Sequence, residues 1–226
     1  MTRALGIIAG TALILLYATM LLLIMPAIQL RTGENPPEAL APYTEMQAKG
    51  RAHYISLGCI YCHSQQPRDP GLAPDMSRGW GRPSVPSDYS YDNPHLMGTM
   101  RTGPDLFNIG ARQPSVDWHL THLYAPRSVS PGSNMPGYPF LFEVIDFVPE
   151  GAVAVNLPPE YRVRGGTVIA TEEAMELVEY LLGLDHTYPA DELPPPLEAQ
   201  VQDTEEDTLS GNKLGDLGNI LSGVTR

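Results

Sequence analysis

The sequence predicts a mainly α-helical protein, in which a single N-terminal transmembrane helix precedes a loop-rich helical domain. The first observation is Ala4–Leu30, a run of 27 residues without a charge. The second is a high content of chain-breaking residues, 23 prolines and 21 glycines among 226 residues. The third is a set of short segments with helix-capping residues at their ends. Together these features favour short helices joined by irregular loops.

The uncharged run predicts a membrane anchor. A helix of this length reaches about 40 Å, whereas about 20 residues already span the apolar core of a bilayer. The run is too long for the apolar part of a signal peptide, and no small-residue cleavage site follows before Arg31. We therefore expect an uncleaved anchor rather than a cleaved signal or a buried core helix. Because Arg3 and Arg31 flank its two ends, the positive-inside rule only weakly favours a cytoplasmic N-terminus.

The charge balance excludes one class of partner. The chain has 14 Lys and Arg residues against 26 Asp and Glu residues, a formal net charge of −12. Nucleic-acid binding needs a basic face, so we expect no nucleic-acid partner. An acidic surface instead attracts a basic protein partner by long-range steering.

Two kinds of segment follow the anchor and its polar linker. A helix is predicted to begin at Thr44, which forms a capping box with Gln47, and to end at Gly58. Residues 64–103 are rich in Pro, Gly, Asp and Ser without helical spacing, which predicts an irregular loop.

Two more helices are predicted further along the chain. One is capped by Ser115 and stopped by Pro126, and the other is capped by Thr171 and closed by Gly183. Apolar residues of the last helix have the spacing of a face buried against a core, and they are Ala174, Leu177, Val178, Leu181 and Leu182. Between these helices, residues 148–170 allow either short strands or a surface excursion.

The domain boundaries that we predict are an anchor at 1–32, a helical domain at 33–187 and a tail at 188–226. The domain contains an insert at about 143–170. The tail is acidic and proline-containing and offers too little apolar surface for a core.

The two cysteines of the chain lie in the sequence Cys59-Ile-Tyr-Cys62-His63. A structural zinc site would need a second pair of ligands, which the sequence does not supply in a close spacing. A thioredoxin-like dithiol would need a βαβ context, which is not predicted here. Covalent haem attachment at Cys-x-x-Cys-His explains all three residues, because both thiols join the haem vinyl groups and the adjacent imidazole reaches the iron.

A haem of this kind needs a second axial ligand from downstream. The candidate methionines are Met76, Met97, Met100, Met135 and Met175. We favour Met135, because the turn-rich loop around it could lay a thioether against the open haem face. His119 and His122 are the rival ligands, although a partly exposed helical face is the simpler interpretation of that pair.

The segment RTGPDLFNIGAR, residues 101–112, resembles the Gly-Pro-x-Leu segment of class I cytochromes c. The resemblance implies that the carbonyl of Pro104 accepts a hydrogen bond from the imidazole of His63. Gly50 and Tyr54, with Tyr180 in the last predicted helix, resemble the crossing of first and last helices in that fold. The fold class is thus expected to be a class I cytochrome c-type helical domain.

Residues 1–142 are similar to one family in particular. The segments that carry the similarity are the anchor, YTEMQAKGRAHYISLGCIYCHSQQ, and the stretch from WGRPSVPSDYSYDNP to SNMPGYPFLF. These resemble the membrane-anchored mono-haem cytochrome c subunit (subunit II) of cbb(3)-type haem–copper oxidases. The resemblance implies that Met135 is the axial ligand and that a loop with Arg82, Ser84 and Tyr89 lies against the catalytic subunit. Residues 67–76 and the insert depart from the family pattern.

The resemblance also implies a function. The chain would carry one covalently bound haem c and relay electrons without catalysing a reaction itself. Its partners would be the integral-membrane catalytic haem–copper subunit, a companion or soluble cytochrome c donor, and membrane lipid. The expected location is the bacterial inner membrane, single-pass, with a cytoplasmic N-terminus and a periplasmic haem domain. The alternatives are the haem c subunit of a nitric oxide reductase, a haem-based gas sensor, or a metal-free dithiol protein.

Overall fold

The computed structural model describes residues 2–32 and 36–189 and divides the chain into two compact units. The smaller unit consists of Met1–Pro42 and Val85–His95, and the larger of Tyr43–Ser84 and Leu96–Arg226. The predicted acidic tail, 188–226, lies outside the described residues except for its first two positions.

The anchor of the smaller unit is one continuous helical rod. Helix α1 (Thr2–Thr19) passes through a π-helical turn (Met20–Ile24) into helix α2 (Met25–Thr32). The wide turn lies just before Pro26, because proline has no N–H to donate and its ring collides with the carbonyl four residues earlier. The helical segment Arg3–Gln29 is long and apolar enough to cross a membrane. The expected apolar N-terminal helix is therefore confirmed.

The other part of the smaller unit is a short turn structure. Residues Pro86–Tyr89 form one 3₁₀ turn, and the carboxylate of Asp88 accepts a hydrogen bond from the backbone N–H of Val85 at 2.8 Å. The ring of Tyr89 lies 5.9 Å from that of His95.

The larger unit is organised by the crossing of helices α3 (Glu45–Ser56) and α7 (Glu172–Gly183). Thr44 and Gln47 form the predicted capping box, and Thr171 caps α7 through the N–H of Ala174. At the crossing, Gly50 lies directly against the backbone carbonyl of Glu176, so any side chain at position 50 would separate the two helices.

Three short helices form the middle of the larger unit. They are α4 (Ile109–Arg112), α5 (Val116–Tyr124) and α6 (Pro126–Val129). The side chain of Ser115 accepts a hydrogen bond from Trp118 N–H and so caps α5, as predicted. Pro126 ends α5 as expected, but it also occupies the first turn of α6, where a proline needs no N–H partner.

The segment that the sequence left undecided forms a small antiparallel sheet. Strand β1 (Phe142–Ile145) pairs with strand β2 (Thr167–Ala170), and Phe142 is aligned with Ala170. An isolated bridge joins Ala154 to Ile169. Residues 146–166 connect the strands mainly by turns, so the segment contains both structures that the sequence offered as alternatives.

One apolar core joins the elements of the larger unit. Its fully buried large side chains include Tyr54, Leu120, Leu141, Leu177, Val178, Tyr180 and Leu184. Burying each such aliphatic side chain contributes roughly 1.5–3 kcal/mol to folding. Within residues 2–32 and 36–189 helices far outnumber strands, so the mainly α-helical class with its loop-rich body is confirmed.

Candidate functional site

A cavity of about 440 Å³ opens inside the larger unit. Its volume lies in the range of cofactor and ligand pockets in proteins. Much of its wall is apolar, from Leu106, Ile109, Leu123, Leu177 and Leu181. Sulfur and imidazole groups converge on it as well, from Cys59, Cys62, His63, His119, His122 and Met135. The cavity therefore offers soft donors inside a mostly apolar shell.

The cysteine segment lies at the end of helix α3. Gly58 adopts φ of +78°, a left-handed conformation that ends the helix, and Cys59–Tyr61 then form a 3₁₀ turn. The backbone N–H of His63 bonds to the carbonyl of Cys59 at 3.0 Å. This tight turn presents both thiols and the imidazole to the same cavity.

The burial of Cys59 gives no support to a redox dithiol. Burial raises the pKa of Cys59 to about 11, whereas reactive dithiols have a thiol whose pKa is depressed. The zinc interpretation also gains no support, because the described parts of the chain contain no group of three or more His, Cys, Asp or Glu side chains that could hold a metal ion.

The imidazole of His63 is fixed by one hydrogen bond. Its Nδ1 lies 2.7 Å from the backbone carbonyl of Pro104. A carbonyl only accepts, so Nδ1 carries the proton and the lone pair of Nε2 is left for a metal. Burial lowers the pKa of His63, and the hydrogen bond to Pro104 opposes this only in part. The ring is therefore neutral at pH 7, as a metal ligand must be.

Gly103 gives this imidazole its space. A Cβ at position 103 would overlap Cε1 of His63 and would lie 2.8 Å from Nδ1. The backbone N–H of Gly103 donates to the carbonyl of Cys62 at 2.8 Å. The Gly-Pro dipeptide thus approaches the histidine closely through its first residue and orients the ring through its second.

Met135 comes from a different part of the chain. It lies in the turn-rich loop after α6, half-buried against the core. Of the five methionines that follow the cysteine segment, it alone is among the residues that line the cavity, and all five are described. Met76 and Met100 are about half exposed, and Met175 packs against the core.

The two histidines of α5 correct one interpretation made from the sequence. His119 is only 3% exposed, so the expected partly exposed helical face is wrong for this residue. Its Nε2 donates to the carbonyl of Gln113 at 2.8 Å, so this nitrogen is not available to a metal. His122 stacks on Trp118 with ring centroids 4.7 Å apart, and burial lowers its pKa to about 4. Both rings line the cavity as neutral groups.

Sequence reasoning missed a set of polar residues around the histidine segment. Asp75 and Asp105 are fully buried, and both interact with Arg101. Arg112 also lines the cavity, and its Nε has no hydrogen-bond partner in the described part of the chain. Arg112 could have been predicted as a site residue, because it ends the segment RTGPDLFNIGAR, which also contains Pro104. Nothing in the spacing of Asp75 and Arg101 indicates that they meet.

Comparison with known proteins identifies the family. The family described as cytochrome c oxidase, mono-heme subunit/FixO, matches residues 2–150 of this chain. No curated protein matches the chain significantly. The family match covers the anchor, the Cys-x-x-Cys-His segment, Pro104 and Met135. Since the match extends over more than half of the sequence, the chain belongs to the family of mono-haem subunits of cytochrome c oxidases.

Proposed function

We propose that this chain is the membrane-anchored c-type cytochrome subunit of a cbb(3)-type oxidase, and that it relays electrons to the catalytic haem–copper subunit. One observation carries the proposal. Two cysteine thiols, an imidazole with a free Nε2 and a thioether line the same 440 Å³ cavity, although Met135 lies more than 70 residues after His63. Together they form the donor set that a covalently bound His/Met haem needs.

The residues present fit such a group. Cys59 and Cys62 would each add their S–H across one haem vinyl group, which forms a C–S bond and a C–H bond without any further reactant. His63 would bind the iron through Nε2, with its Nδ1–H held by Pro104. Met135 would supply a second ligand to the iron from the loop after α6.

Two further features of the cavity support the fit. The apolar wall from α5 and α7 would keep water away from a bound haem. Nearby charges would then act more strongly on its redox potential. The unpartnered Nε of Arg112 is suited to a carboxylate at the cavity wall, and haem carries two carboxylates.

When bound, haem supplies a one-electron redox couple. Met135 is a soft ligand that favours ferrous iron, so His/Met ligation places the potential above that of a bis-histidine haem. The hydrogen bond to Pro104 would hold the imidazole of His63 in one orientation toward such a group. No substrate bond is made or broken by the residues of this chain, so its own role is electron transfer rather than catalysis.

The anchor has a geometric role in this proposal. Residues 1–32 would hold the haem domain, residues 33–187, near its acceptor and so raise the effective concentration of the pair. We place the N-terminus in the cytoplasm and the haem domain in the periplasm of a bacterial inner membrane. Electrons would enter from a companion or soluble cytochrome c.

The test is purification of the native complex from the membrane in mild detergent. We expect a haem-staining band at the mass of this chain after denaturing electrophoresis, and a reduced spectrum typical of c-type haem. After rapid mixing of the complex with a reduced cytochrome c, this haem should be reduced by the donor and then reoxidised, at the rate at which O2 is consumed. A colourless band, with both thiols free to an alkylating reagent, would contradict the proposal. Turnover of NO without turnover of O2 would replace the oxidase with a nitric oxide reductase.

A further inference from the structure

Arg101 and Asp75 form a buried ion pair beside the histidine segment. Nη1 of Arg101 lies 2.7 Å from Oδ1 of Asp75, and Nη2 lies 2.7 Å from Oδ2. Asp75 is fully buried, and the Arg101 side chain is 15% exposed. The guanidinium also lies over the ring of Trp80, 5.2 Å from its centroid. Two parallel bonds and a stacked ring fix the plane of this arginine.

The same guanidinium reaches the residues directly after His63. Its Nε donates to the hydroxyl of Ser64 at 2.9 Å, and Nη2 donates to the carbonyl of Gln66 at 2.7 Å. One side chain thus joins Asp75 to two positions of the segment that carries the imidazole. A lysine could not make these contacts together, because they require the planar fork of an arginine.

The chain of bonds continues to the residue after Pro104. The hydroxyl of Ser64 donates to Oδ2 of Asp105 at 2.6 Å, and the backbone N–H of Gln66 donates to the same oxygen at 2.8 Å. Arg101 Nη2 lies 3.6 Å from this oxygen. The network therefore joins the two segments whose separation sets the distance between His63 Nδ1 and Pro104 O.

We propose that Arg101, held by Asp75, is a positioning residue that sets the strength of the hydrogen bond from His63 to Pro104 and thereby tunes the haem potential. This inference rests on the proposed function, in which His63 is the haem ligand. A stronger bond from Nδ1–H makes the imidazole more basic and stabilises ferric iron, so the intact network lowers the potential.

The charge of Asp75 acts in the same direction. Asp75 and Asp105 place two carboxylates near Arg101, and Arg112 adds a second guanidinium, whose Nη2 donates to the backbone carbonyl of Asp105. Negative charge in a region of low dielectric stabilises the ferric state. Loss of Asp75 therefore removes both the geometric hold on Arg101 and one negative charge.

The experiment measures the midpoint potential of the full-length chain in detergent, with the variants Asp75→Asn and Arg101→Lys. We expect Asp75→Asn to shift the ferric–ferrous equilibrium roughly tenfold toward ferrous, which for one electron is about 59 mV upward. Arg101→Lys keeps the positive charge and should raise the midpoint potential by a smaller amount. The proton NMR signal of His63 Nδ1–H should move with the potential.

Arg162→Lys is the matched control. The Nε of Arg162 also donates to a backbone carbonyl, that of Leu157 at 3.0 Å, and both residues lie in the segment that connects β1 and β2. The midpoint potential of this variant should equal that of the unaltered chain. Ser64→Ala changes no charge and removes the hydroxyl that accepts from Arg101 and donates to Asp105, so it tests the geometric effect if the other variants yield no folded protein.

The outcomes separate this inference from the proposed function. If the unaltered chain carries no haem, the proposed function is wrong. If it carries haem, and the variants lower the unfolding temperature while their potentials stay at the value of the Arg162→Lys control, the network only stabilises the fold and the inference is wrong. An unchanged potential in a folded Ser64→Ala variant would contradict the geometric part alone.

Discussion

The two sides of the cavity are built differently. On the histidine side, backbone bonds of 2.8 Å join Gly103 to Cys62 and Leu106 to Ser64, and buried charged groups add further contacts. On the methionine side, Met135 N–H donates to the hydroxyl of Ser133 at 3.2 Å, and Tyr138 N–H donates to the carbonyl of Leu123 at 2.8 Å. The first side is fixed through long-range contacts, and the second is one loop held near its ends.

This difference assigns separate tasks to the two sides. Buried, fully bonded polar groups have a unique arrangement, because any displacement leaves a charge unpaired. A loop of turns and small hydroxyls opens at a lower free energy. We therefore expect changes on the histidine side to affect haem retention and potential, and changes on the methionine side to affect access to the iron.

The largest effect is expected at the attachment residues of the histidine side. Cys62→Ser would remove one of the two proposed thioether bonds, so we expect about a tenfold loss of chain-bound haem, since attachment normally precedes stable folding around the ring. Haem staining after denaturing electrophoresis measures this loss. Tyr61→Phe is the control, because Tyr61 lies between the cysteines and is 74% exposed. Equal staining of both variants would contradict attachment at Cys62.

The next effect concerns the methionine side. Met135→Ala should keep the haem attached, lower the potential by roughly 0.1 V and open the iron to CO, because the soft sixth ligand is lost. Redox titration and the absorbance change on adding CO to the reduced chain measure the result. Met100→Ala is the control, since Met100 is 57% exposed. A Met135→Ala variant with native potential and no CO binding would show that another residue is the ligand.

A matched pair of glycine substitutions sharpens the comparison. A Cβ at Gly103 would overlap the His63 ring, and a Cβ at Gly137 would lie 2.6 Å from the carbonyl of Tyr124. Each substitution to alanine should destabilise the fold by about 1–3 kcal/mol through overpacking. Only Gly137→Ala should increase CO binding, and only Gly103→Ala should reduce haem content. Denaturant unfolding, CO titration and haem quantification test this, and identical behaviour of the two variants would remove the distinction between the sides.

The smallest effect is expected at the α3–α7 crossing, which supports both sides alike. Glu176 accepts a hydrogen bond from His53 at 2.9 Å and lies 3.4 Å from Lys49. Burial raises the pKa of Glu176, but the bonds to His53 and Lys49 outweigh it and hold that pKa below its usual value. The carboxylate thus stabilises the fold above the usual pKa of a glutamate, and this contribution is lost as pH falls through the lowered value.

Glu176→Gln should therefore reduce the unfolding free energy at pH 7 by up to about 1 kcal/mol, and by less at pH 3. The haem spectrum should not change. Glu45→Gln is the control, because Glu45 is exposed and also pairs with Lys49. A destabilisation by Glu176→Gln that is the same at pH 3 and pH 7 would show that the charge of this residue does not contribute.

Much of the fold could be predicted because its signals are local. The capping box at Thr44, the left-handed Gly58, the cap at Ser115 and the apolar face of α7 each depend on residues within a few positions of one another. The strands β1 and β2 could not be placed with the same certainty, because their pairing joins residues about 25 positions apart. Long-range pairing leaves only a weak trace in a short segment of sequence.

For the candidate site, the sequence by itself determined the chemistry: Cys59, Cys62 and His63 form one short motif, and Met135 lies in a turn-rich loop that suits a ligand. Only the tertiary structure decided which methionine lines the cavity, that His119 is buried, and that Arg101 joins Asp75 to the histidine segment. The physical reason is that a motif is fixed by covalent neighbours, whereas the packing of a side chain or the partner of a buried charge depends on segments that meet only after the whole core has formed.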